Sequence, residues 1–240
     1  PQKYYDGVIS IPVFFHEQKY TELAIYPNIF KKNFFIRFEL FNRKKRFKLK
    51  KKIKIDKNFK SPIYLNISEM VLREIRNLDK SRTYIIKIIC EGNKSVPSRV
   101  KFGLNIGQKK SSNISSNVCF NVVVPINNFE KKPRAFKWGP ILPKKNYEFF
   151  LSNIIFLRKK FKKANIEIKF WSTKKDSYIS KKISVSDNDF YRFHLKKNFK
   201  IFNFLKNKPG WFTVESDSPF VSGFFINFGN SGIVGADHFF

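Results

Sequence analysis

The chain is short of the residue types on which most metal and catalytic sites depend. Its 240 residues include two cysteines, three histidines, and 18 acidic residues against 48 basic ones. His16 and His194 have no second ligand at metal-binding spacing, and no glycine-rich loop leads from a strand into a helix. The sequence therefore predicts no metal, no cofactor and no nucleotide-binding loop, and we expect a protein that is not an enzyme.

Disulfides and membrane-spanning segments are not indicated either. Cys90 and Cys119 allow one bridge at most, and we expect both to be ordinary buried thiols. No apolar run approaches the ~20 residues of a membrane-spanning helix, and the first residues lack the charged-then-apolar pattern of a secretory signal. We expect no transmembrane segment and a location in the cytoplasm or at the cell envelope.

The excess of basic residues gives a formal net charge of +30. A positive field of this size attracts anionic polymers and anionic membrane surfaces. Codon usage is a second explanation, because only ten of the basic residues are Arg and an AT-rich genome favours Lys, Phe, Ile and Asn. Codon usage explains the shortage of Asp and Glu less well, so both explanations stay open.

Alternating apolar and polar residues predict an all-β fold. In one stretch Ile36, Phe38 and Leu40 alternate with Arg37 and Glu39, as in a half-buried strand. The matching stretch of the second half is Ile166 to Phe170. Further strands are predicted at Tyr84 to Cys90, Val100 to Ile106, Val118 to Val124, Lys182 to Val185, Tyr191 to Leu195, Trp211 to Glu215, Phe220 to Phe228 and Ile233 to Phe239.

Helical spacing is confined to Glu69 to Leu78. Apolar residues such as Val71, Ile75 and Leu78 follow a helical period, and Asn66 with Glu69 resembles a capping box. The sequence predicts one short helix here, in the first half of the chain.

A segment near the middle of the chain recurs near its end. Phe102 to Gly107 matches Phe224 to Gly229, and each follows an acidic, turn-rich stretch. We therefore predict two tandem antiparallel β-sandwich domains related by internal duplication, with boundaries 1–131 and 132–240. The proline-rich segment from Pro125 to Pro143 is predicted to be the linker between them.

The densest charge lies between Arg43 and Lys60, where eleven of eighteen residues are basic. A hairpin closed by Asn42 to Arg46 would place four lysines on one strand face, ~6.6 to 6.8 Å apart, where they would contact successive negative groups of a polymer. The alternative is that these lysines only keep an edge strand from pairing with other sheets. A second basic cluster is predicted at the corresponding hairpin of the second domain. The predicted anionic-polymer-binding residues are Arg43, Lys44, Lys45, Arg46, Lys48, Lys50, Lys52, Lys54, Arg158, Lys159, Lys160, Lys162 and Lys163.

Two further features invite a functional interpretation. Asp237 and His238 are adjacent, but neighbours in a strand point to opposite faces, so we expect a structural role and no catalytic contact between them. Most phenylalanines fall on the inward side of the alternation. Trp171 is the best exposed aromatic candidate, and we expect this lone tryptophan to pack against a loop.

A family resemblance is carried by the segment from Trp211 to Phe240. Its strand, the turn Glu215-Ser216-Asp217-Ser218-Pro219 and the following run from Phe220 to Phe224 resemble an element of small bacterial β-sandwich domains of the sensory rhodopsin transducer type. The resemblance implies a non-enzymatic binding module, and some such domains associate into homo-oligomers. It carries over no functional residue.

Three functions are open from the sequence. The favoured one is a non-catalytic binding or assembly protein whose lysine-rich hairpins face an anionic partner such as acidic envelope polysaccharide. The second is a nucleic-acid or ribosome-associated protein, which the shortage of Arg and of exposed aromatics makes less favourable. The third is a hydrolase using Asp237, His238 and His194, which would require these side chains to converge in a pocket.

Overall fold

The computed structural model describes residues 7–15, 19–27, 33–42, 45–92, 100–108, 116–122, 135–142, 146–153, 162–173, 175–187, 189–229 and 234–239. By their internal contacts the residues divide into two compact units, Pro1–Lys131 and Lys132–Phe240. The described strands form four antiparallel sheets of four strands each. The all-β prediction is confirmed.

The first unit contains sheets A and B and one described helix. The helix, α1 (Ile67–Glu74), directly follows the fifth strand. Sheet A consists, in spatial order, of β1 (Gly7–Val13), β6 (Tyr84–Glu91), β3 (Phe34–Asn42) and β4 (Lys45–Ile55). Sheet B consists, in spatial order, of β5 (Ile63–Asn66), β2 (Lys19–Ile25), β7 (Val100–Gln108) and β8 (Ser116–Val122).

The second unit contains sheets C and D and a second helix. A 3-10 turn (Leu195–Lys197) and helix α2 (Phe199–Leu205) follow its fifth strand. Sheet C consists, in spatial order, of β12 (Lys175–Ser186), β11 (Lys163–Ser172), β14 (Gly210–Ser216) and β9 (Ala135–Ile141). Sheet D consists, in spatial order, of β13 (Asp189–His194), β10 (Tyr147–Asn153), β15 (Val221–Phe228) and β16 (Val234–His238).

The two units have the same strand order. When the described strands of each unit are numbered from one to eight, the first sheet reads 1-6-3-4 and the second reads 5-2-7-8 in both units. The helix follows the fifth strand in both units as well. Strands β3, β4, β6 and β1 of sheet A therefore occupy the same topological places as β11, β12, β14 and β9 of sheet C.

The core of the second unit lies between its two sheets and is built from phenylalanine. Ile168 and Phe170 of sheet C are completely buried, as the alternation predicts. The Phe149 ring of sheet D lies 4.7 Å from Phe212 and 6.3 Å from Phe170, both in sheet C. Each buried side chain of this size contributes about 1.5 to 3 kcal/mol by leaving water, so these contacts hold the two sheets together.

The helix prediction holds for α1 and misses α2. The Asn66 side chain accepts a hydrogen bond from the Glu69 backbone N–H at 3.0 Å, which confirms the cap. The helix ends at Glu74, short of the predicted Leu78. Helix α2, with the run Phe-Lys-Ile-Phe-Asn-Phe-Leu, was not predicted, and its buried residues are Ile201 and Leu205, four apart as on one face of a helix.

The predicted linker is wrong over seven of its residues. Ala135–Ile141 form strand β9, which pairs with β14 along its whole length. Prolines misled the prediction here. β9 is the outermost strand of sheet C, where Pro140 costs no hydrogen bond within the sheet.

The repeated segment falls in equivalent strands but in a different register. Leu104 of β7 is buried and pairs with Leu23. In β15 the residue that lies over the core is Phe225, which pairs with Phe149, so Ile226 points to the other face. The sequence match aligned Leu104 with Ile226, and a slip of one residue exchanges the two faces of a strand.

The cysteine prediction is half right. Cys90 is buried in β6 and Cys119 is exposed in β8, in different sheets, and the two do not form a disulfide. Of the described helices, neither is long and apolar enough to cross a membrane.

Candidate anionic-polymer interface

Strand β4 carries six of the eight predicted binding residues of the first hairpin and forms one edge of sheet A. Its basic side chains are all exposed, while Leu49 and Ile55 are buried. Asn42 pairs with Lys45, so the hairpin closes over two residues and not over the predicted five. Arg43 and Lys44 lie outside the described residues.

A bulge interrupts the predicted lysine ladder. Glu39 pairs with Lys48, and Arg37 pairs with Lys52, so three residues of β4 face one residue of β3. The carboxylate of Glu74, at the end of α1, accepts the backbone N–H groups of Lys50 and Lys51 at 2.5 and 3.0 Å. The bulge therefore has a fixed shape, and it adds Lys51 to the exposed cations.

Three of the predicted binding residues already have acidic partners. Arg46 contacts Glu39 at 2.8 Å, and Lys54 contacts Asp56 at 2.9 Å. Lys52 lies 3.6 Å from Glu91 and 4.3 Å above the Phe35 ring. The remaining cations of the strand have no carboxylate of a described residue within 4 Å. They are Lys45, Lys48, Lys50 and Lys51.

Glu39 anchors the ion pairs beside β4. Its side chain is 1% exposed, and it accepts hydrogen bonds from Arg37 at 2.7 Å and from Arg46 at 2.8 Å. Burial alone would raise the pKa of Glu39, but the hydrogen bonds from Arg46 and Arg37 outweigh it and hold the pKa below its usual value. Arg37 also donates to Glu91. These cations already have carboxylate partners within the fold, so they gain less from contact with an external anion.

The second predicted cluster is not at the corresponding hairpin. Lys162 and Lys163 lie at the start of β11, whereas the β11–β12 turn, which corresponds to the β3–β4 turn, follows Ser172 at the other end of that strand. Arg158, Lys159 and Lys160 lie outside the described residues. The error arose because the sequence match did not fix which loop of the second unit corresponds to the first hairpin.

Sheet C carries an aromatic row that the sequence analysis missed. Trp171 was expected to be alone, but it pairs with Trp211 on one side and with Tyr178 on the other. The planes of the two indoles are 7° apart, with centroids separated by 6.1 Å, and Tyr178 lies 4.6 Å from Trp171. Only the strand register brings these residues together, and the sequence does not reveal the register.

Charges on the same face of sheet C neutralise one another. Lys169 contacts Glu215 at 2.7 Å and Glu167 at 3.9 Å, and the hydrogen bond from Lys169 to Glu215 raises the lysine pKa. Glu215 was expected to be a turn residue, but it lies within β14. Asp217, by contrast, is a turn residue, and it accepts the backbone N–H of Asn165 at 2.8 Å. Glu167, Glu215, Asn165 and Asp217 border a shallow depression of about 670 Å³.

Asp237 and His238 touch, contrary to expectation. The carboxylate of Asp237 lies 2.8 Å from Nδ1 of His238, and it also accepts the His238 backbone N–H at 2.7 Å. A short acidic side chain can bond its neighbour in this way without both residues facing the same side. His194 lies in β13, at the opposite edge of the sheet and three strand spacings or about 14 Å away, so the three side chains do not converge. Within the described residues no cluster of His, Cys, Asp and Glu could hold a metal.

Comparison with known proteins leaves the chain without a family. No protein-family model matches it, and no curated protein matches it. Among solved structures it is similar to the CupB2 chaperone of Pseudomonas aeruginosa, with 8% identity and a TM-score of 0.19 over 97% of this chain and 91% of that one. A TM-score this low carries no argument about fold or function.

Proposed function

We propose that the protein is a non-catalytic binding protein whose strand β4 contacts an anionic polymer, with acidic polysaccharide as the preferred class. One observation carries the proposal. Lys45, Lys48, Lys50 and Lys51 are exposed on an edge strand and have no carboxylate of a described residue within 4 Å, and the backbone of Lys50 and Lys51 is held by Glu74 in the bulge. We call these four residues the lysine edge.

Binding by the lysine edge is an exchange of ions. Each ammonium that contacts a negative group of the polymer releases counterions, so the affinity falls as salt rises. A lysine already paired with a carboxylate gains less, because it has to give up that partner. The proposed contact set is therefore the lysine edge and not all thirteen residues of the sequence prediction.

Polysaccharide is favoured over nucleic acid by the surroundings of β4. The Arg46 guanidinium, the group best suited to a phosphate, is bound to Glu39. Phe35, an exposed ring next to β4 that would stack on a base, is covered by the ammonium of Lys52. Sugar carboxylates require neither group.

We also propose that the two units descend from one ancestral domain. The shared strand order and the helix after the fifth strand support this, because eight strands can pair in many other orders. Common descent makes the differences between the units informative about function.

The test compares two triple variants of equal charge. Lys48→Gln, Lys50→Gln and Lys51→Gln remove the centre of the lysine edge, whereas Lys196→Gln, Lys197→Gln and Lys200→Gln remove three exposed lysines near α2. Binding to polygalacturonate and to polyadenylate RNA is measured as a function of salt. We expect the first variant to lower the salt slope for polygalacturonate by roughly two to three and the second to leave it unchanged.

Two results would count against the proposal. Equal losses in both triple variants would mean that net charge and not the lysine edge drives binding. Tighter binding of the wild-type chain to the RNA than to polygalacturonate at the same salt would favour the nucleic-acid function.

A further inference from the structure

The outer face of sheet C presents an ordered row of rings that the lysine edge does not explain. Pro140, Trp211, Trp171 and Tyr178 lie opposite one another on four adjacent strands. At ~4.8 Å per strand the row is about 14 Å long. Trp211 is 39% exposed and Tyr178 is 48% exposed, and Trp171 between them is partly buried, so a ligand has access mainly to the two outer rings.

All three tryptophans of the chain lie on this face of sheet C. Trp138, Trp171 and Trp211 are its three tryptophans, and Trp138 pairs with Thr213 one row away from Trp211 on the same side of the sheet. The core of the unit uses phenylalanine instead. Trp138 is 46% exposed, which is costly for so large an apolar side chain unless the exposed ring is used.

The rings are held in place before any ligand binds. Trp171 donates its indole N–H to Oγ1 of Thr213 at 3.2 Å and packs against Tyr178. The ammonium of Lys169 lies 5.6 Å from the Tyr178 ring centre. A preorganised aromatic surface loses little conformational freedom on binding, which favours affinity.

The charge of this face selects the ligand. The four charged residues that face outward in the two neighbouring rows are Lys169, Lys182, Glu167 and Glu215, and their formal charges cancel. These rows therefore supply no local excess of positive charge for a polyanion, in contrast to the lysine edge. Two rows from the rings, Glu167, Glu215, Lys182 and Asn165 line a depression in which they offer hydrogen bonds to hydroxyl groups.

These properties match sugar rings better than they match a protein or a nucleic acid. A pyranose has an apolar C–H face that stacks on an aromatic ring, and hydroxyl groups at its rim. A stable protein partner usually covers about 800 Å² on each side with an apolar centre, whereas here charged rows adjoin the rings. Single-stranded nucleic acid requires cations along its backbone, and Lys169 is already bound to Glu215.

We propose that the outer face of sheet C binds a neutral polysaccharide by stacking sugar rings on Trp211, Trp171 and Tyr178. The bordering polar groups donate and accept hydrogen bonds with the sugar hydroxyls. This site is separate in chemistry from the lysine edge, and it stands even if β4 binds nothing.

The test uses the full chain and four neutral polymers: hydroxyethylcellulose, xyloglucan, galactomannan and dextran. Binding is followed by tryptophan fluorescence and by retardation in native gels that contain each polymer. Salt of about 1 M shortens the electrostatic range to about 3 Å and suppresses any contribution of the lysine edge. We expect at least one polymer to bind, with a change in tryptophan emission that persists at this salt.

Variants assign the binding to the row. Trp211→Ala and Tyr178→Ala are each expected to weaken binding roughly tenfold, as the loss of one stacked ring does for nucleic-acid bases. Trp211→Tyr, which keeps a ring, retains most of the affinity. Phe199→Ala is the control, since Phe199 is an exposed ring of α2 outside the row.

Several outcomes would contradict the proposal that this face binds a neutral polysaccharide. Failure of all four polymers to bind the wild-type chain would do so, as would equal affinity of Trp211→Ala and wild type when both have the same circular dichroism spectrum. A dimer in sedimentation that Trp211→Ala dissociates would make the face a contact between copies. Binding of polyadenylate RNA at high salt that Trp211→Ala abolishes would make it a nucleic-acid site.

Discussion

The outer faces of sheets A and C occupy the same place in the same strand order, yet they differ in chemistry. On β3 the outward residues include Arg37 and the buried Glu39, which belong to an ion network. On β11 they include Lys169 and Trp171, beside an exposed row of rings. The core positions of both units remain apolar. The strand order thus constrains the core and leaves the outer faces free to diverge.

The edge strands of the two sheets show the same divergence. In β4 seven of the 11 residues are basic, and in β12 three of the 12 are basic. Both strands carry a two-residue bulge against their neighbours. A codon bias acts on the whole chain, and protection of an edge is needed by both strands. Neither explains why the lysines concentrate on β4, which supports a role for them in binding.

The largest expected effect on stability comes from a substitution that breaks the ion network of sheet A. Glu39→Ala leaves Arg46 without its carboxylate and Arg37 with Glu91 alone. We therefore expect the free energy of unfolding to fall by about 2 to 3 kcal/mol. Chemical denaturation with pulsed hydrogen exchange resolves peptides of sheet A from those of sheet C. Glu215→Ala, at an exposed ion pair on sheet C, serves as the control and is expected to change stability little. Equal effects would mean that the two networks do not differ.

The stabilisation that Glu39 gives to the folded chain is expected to decrease as pH falls. Because the pKa of Glu39 is lower in the folded chain, the unfolded chain takes up the proton first as pH falls. The stabilisation from Glu39 is therefore complete above its ordinary pKa and is lost as pH falls toward the folded value. Denaturation of wild type and Glu39→Gln across this acidic range should show their difference shrinking as pH decreases. A constant difference would contradict the lowered pKa.

A smaller effect is expected at the bulge of β4. Glu74→Ala removes the acceptor of the backbone N–H groups of Lys50 and Lys51. Because these groups are exposed and bind water instead, we expect the free energy of unfolding to fall by only about 1 kcal/mol. The change should also weaken polygalacturonate binding, since the lysine edge loses its fixed shape. Glu69→Ala on the same helix is the control, because its ion pair with Arg73 is exposed. Unchanged polymer affinity in Glu74→Ala would show that the bulge does not matter for binding.

The smallest expected effect on stability comes from removing the hydrogen bond between Trp171 and Thr213 on sheet C. Thr213→Val keeps the shape of the side chain and removes the oxygen that accepts the Trp171 N–H. We expect the free energy of unfolding to fall by about 0.5 to 1 kcal/mol. The tryptophan emission should shift as the indole loses its partner. Ser180→Ala, two strands away in the same row as Thr213, is the control. An emission spectrum identical to that of wild type would show that Thr213 does not hold the ring.

The strands could be predicted from the sequence because alternation records burial directly. The stretch from Ile36 to Leu40 falls in β3 as expected, and Ile166 to Phe170 fall in β11. Strand register was not predictable, because similar apolar residues fit either face of a strand. The match of Phe102 to Gly107 with Phe224 to Gly229 is misaligned by one residue for this reason.

The candidate sites were predictable to different degrees. The lysines of β4 stand out by composition alone, but their acidic partners do not. Glu91 lies two strands along the chain from Lys52 and reaches it only through the order of sheet A. The aromatic row requires the pairing of β14, β11 and β12, so no local pattern around Trp171 or Trp211 predicts it.

The central claim is that the lysine edge and the aromatic row bind different polymers. The most direct measurement is the affinity of two variants, the triple Lys48, Lys50 and Lys51→Gln change and Trp211→Ala, for polygalacturonate and for the neutral polysaccharide that binds the wild-type chain. We predict that the lysine variant loses affinity only for polygalacturonate and that Trp211→Ala loses affinity only for the neutral polymer. Loss of both polymers in either variant, or of neither in both, would contradict the claim.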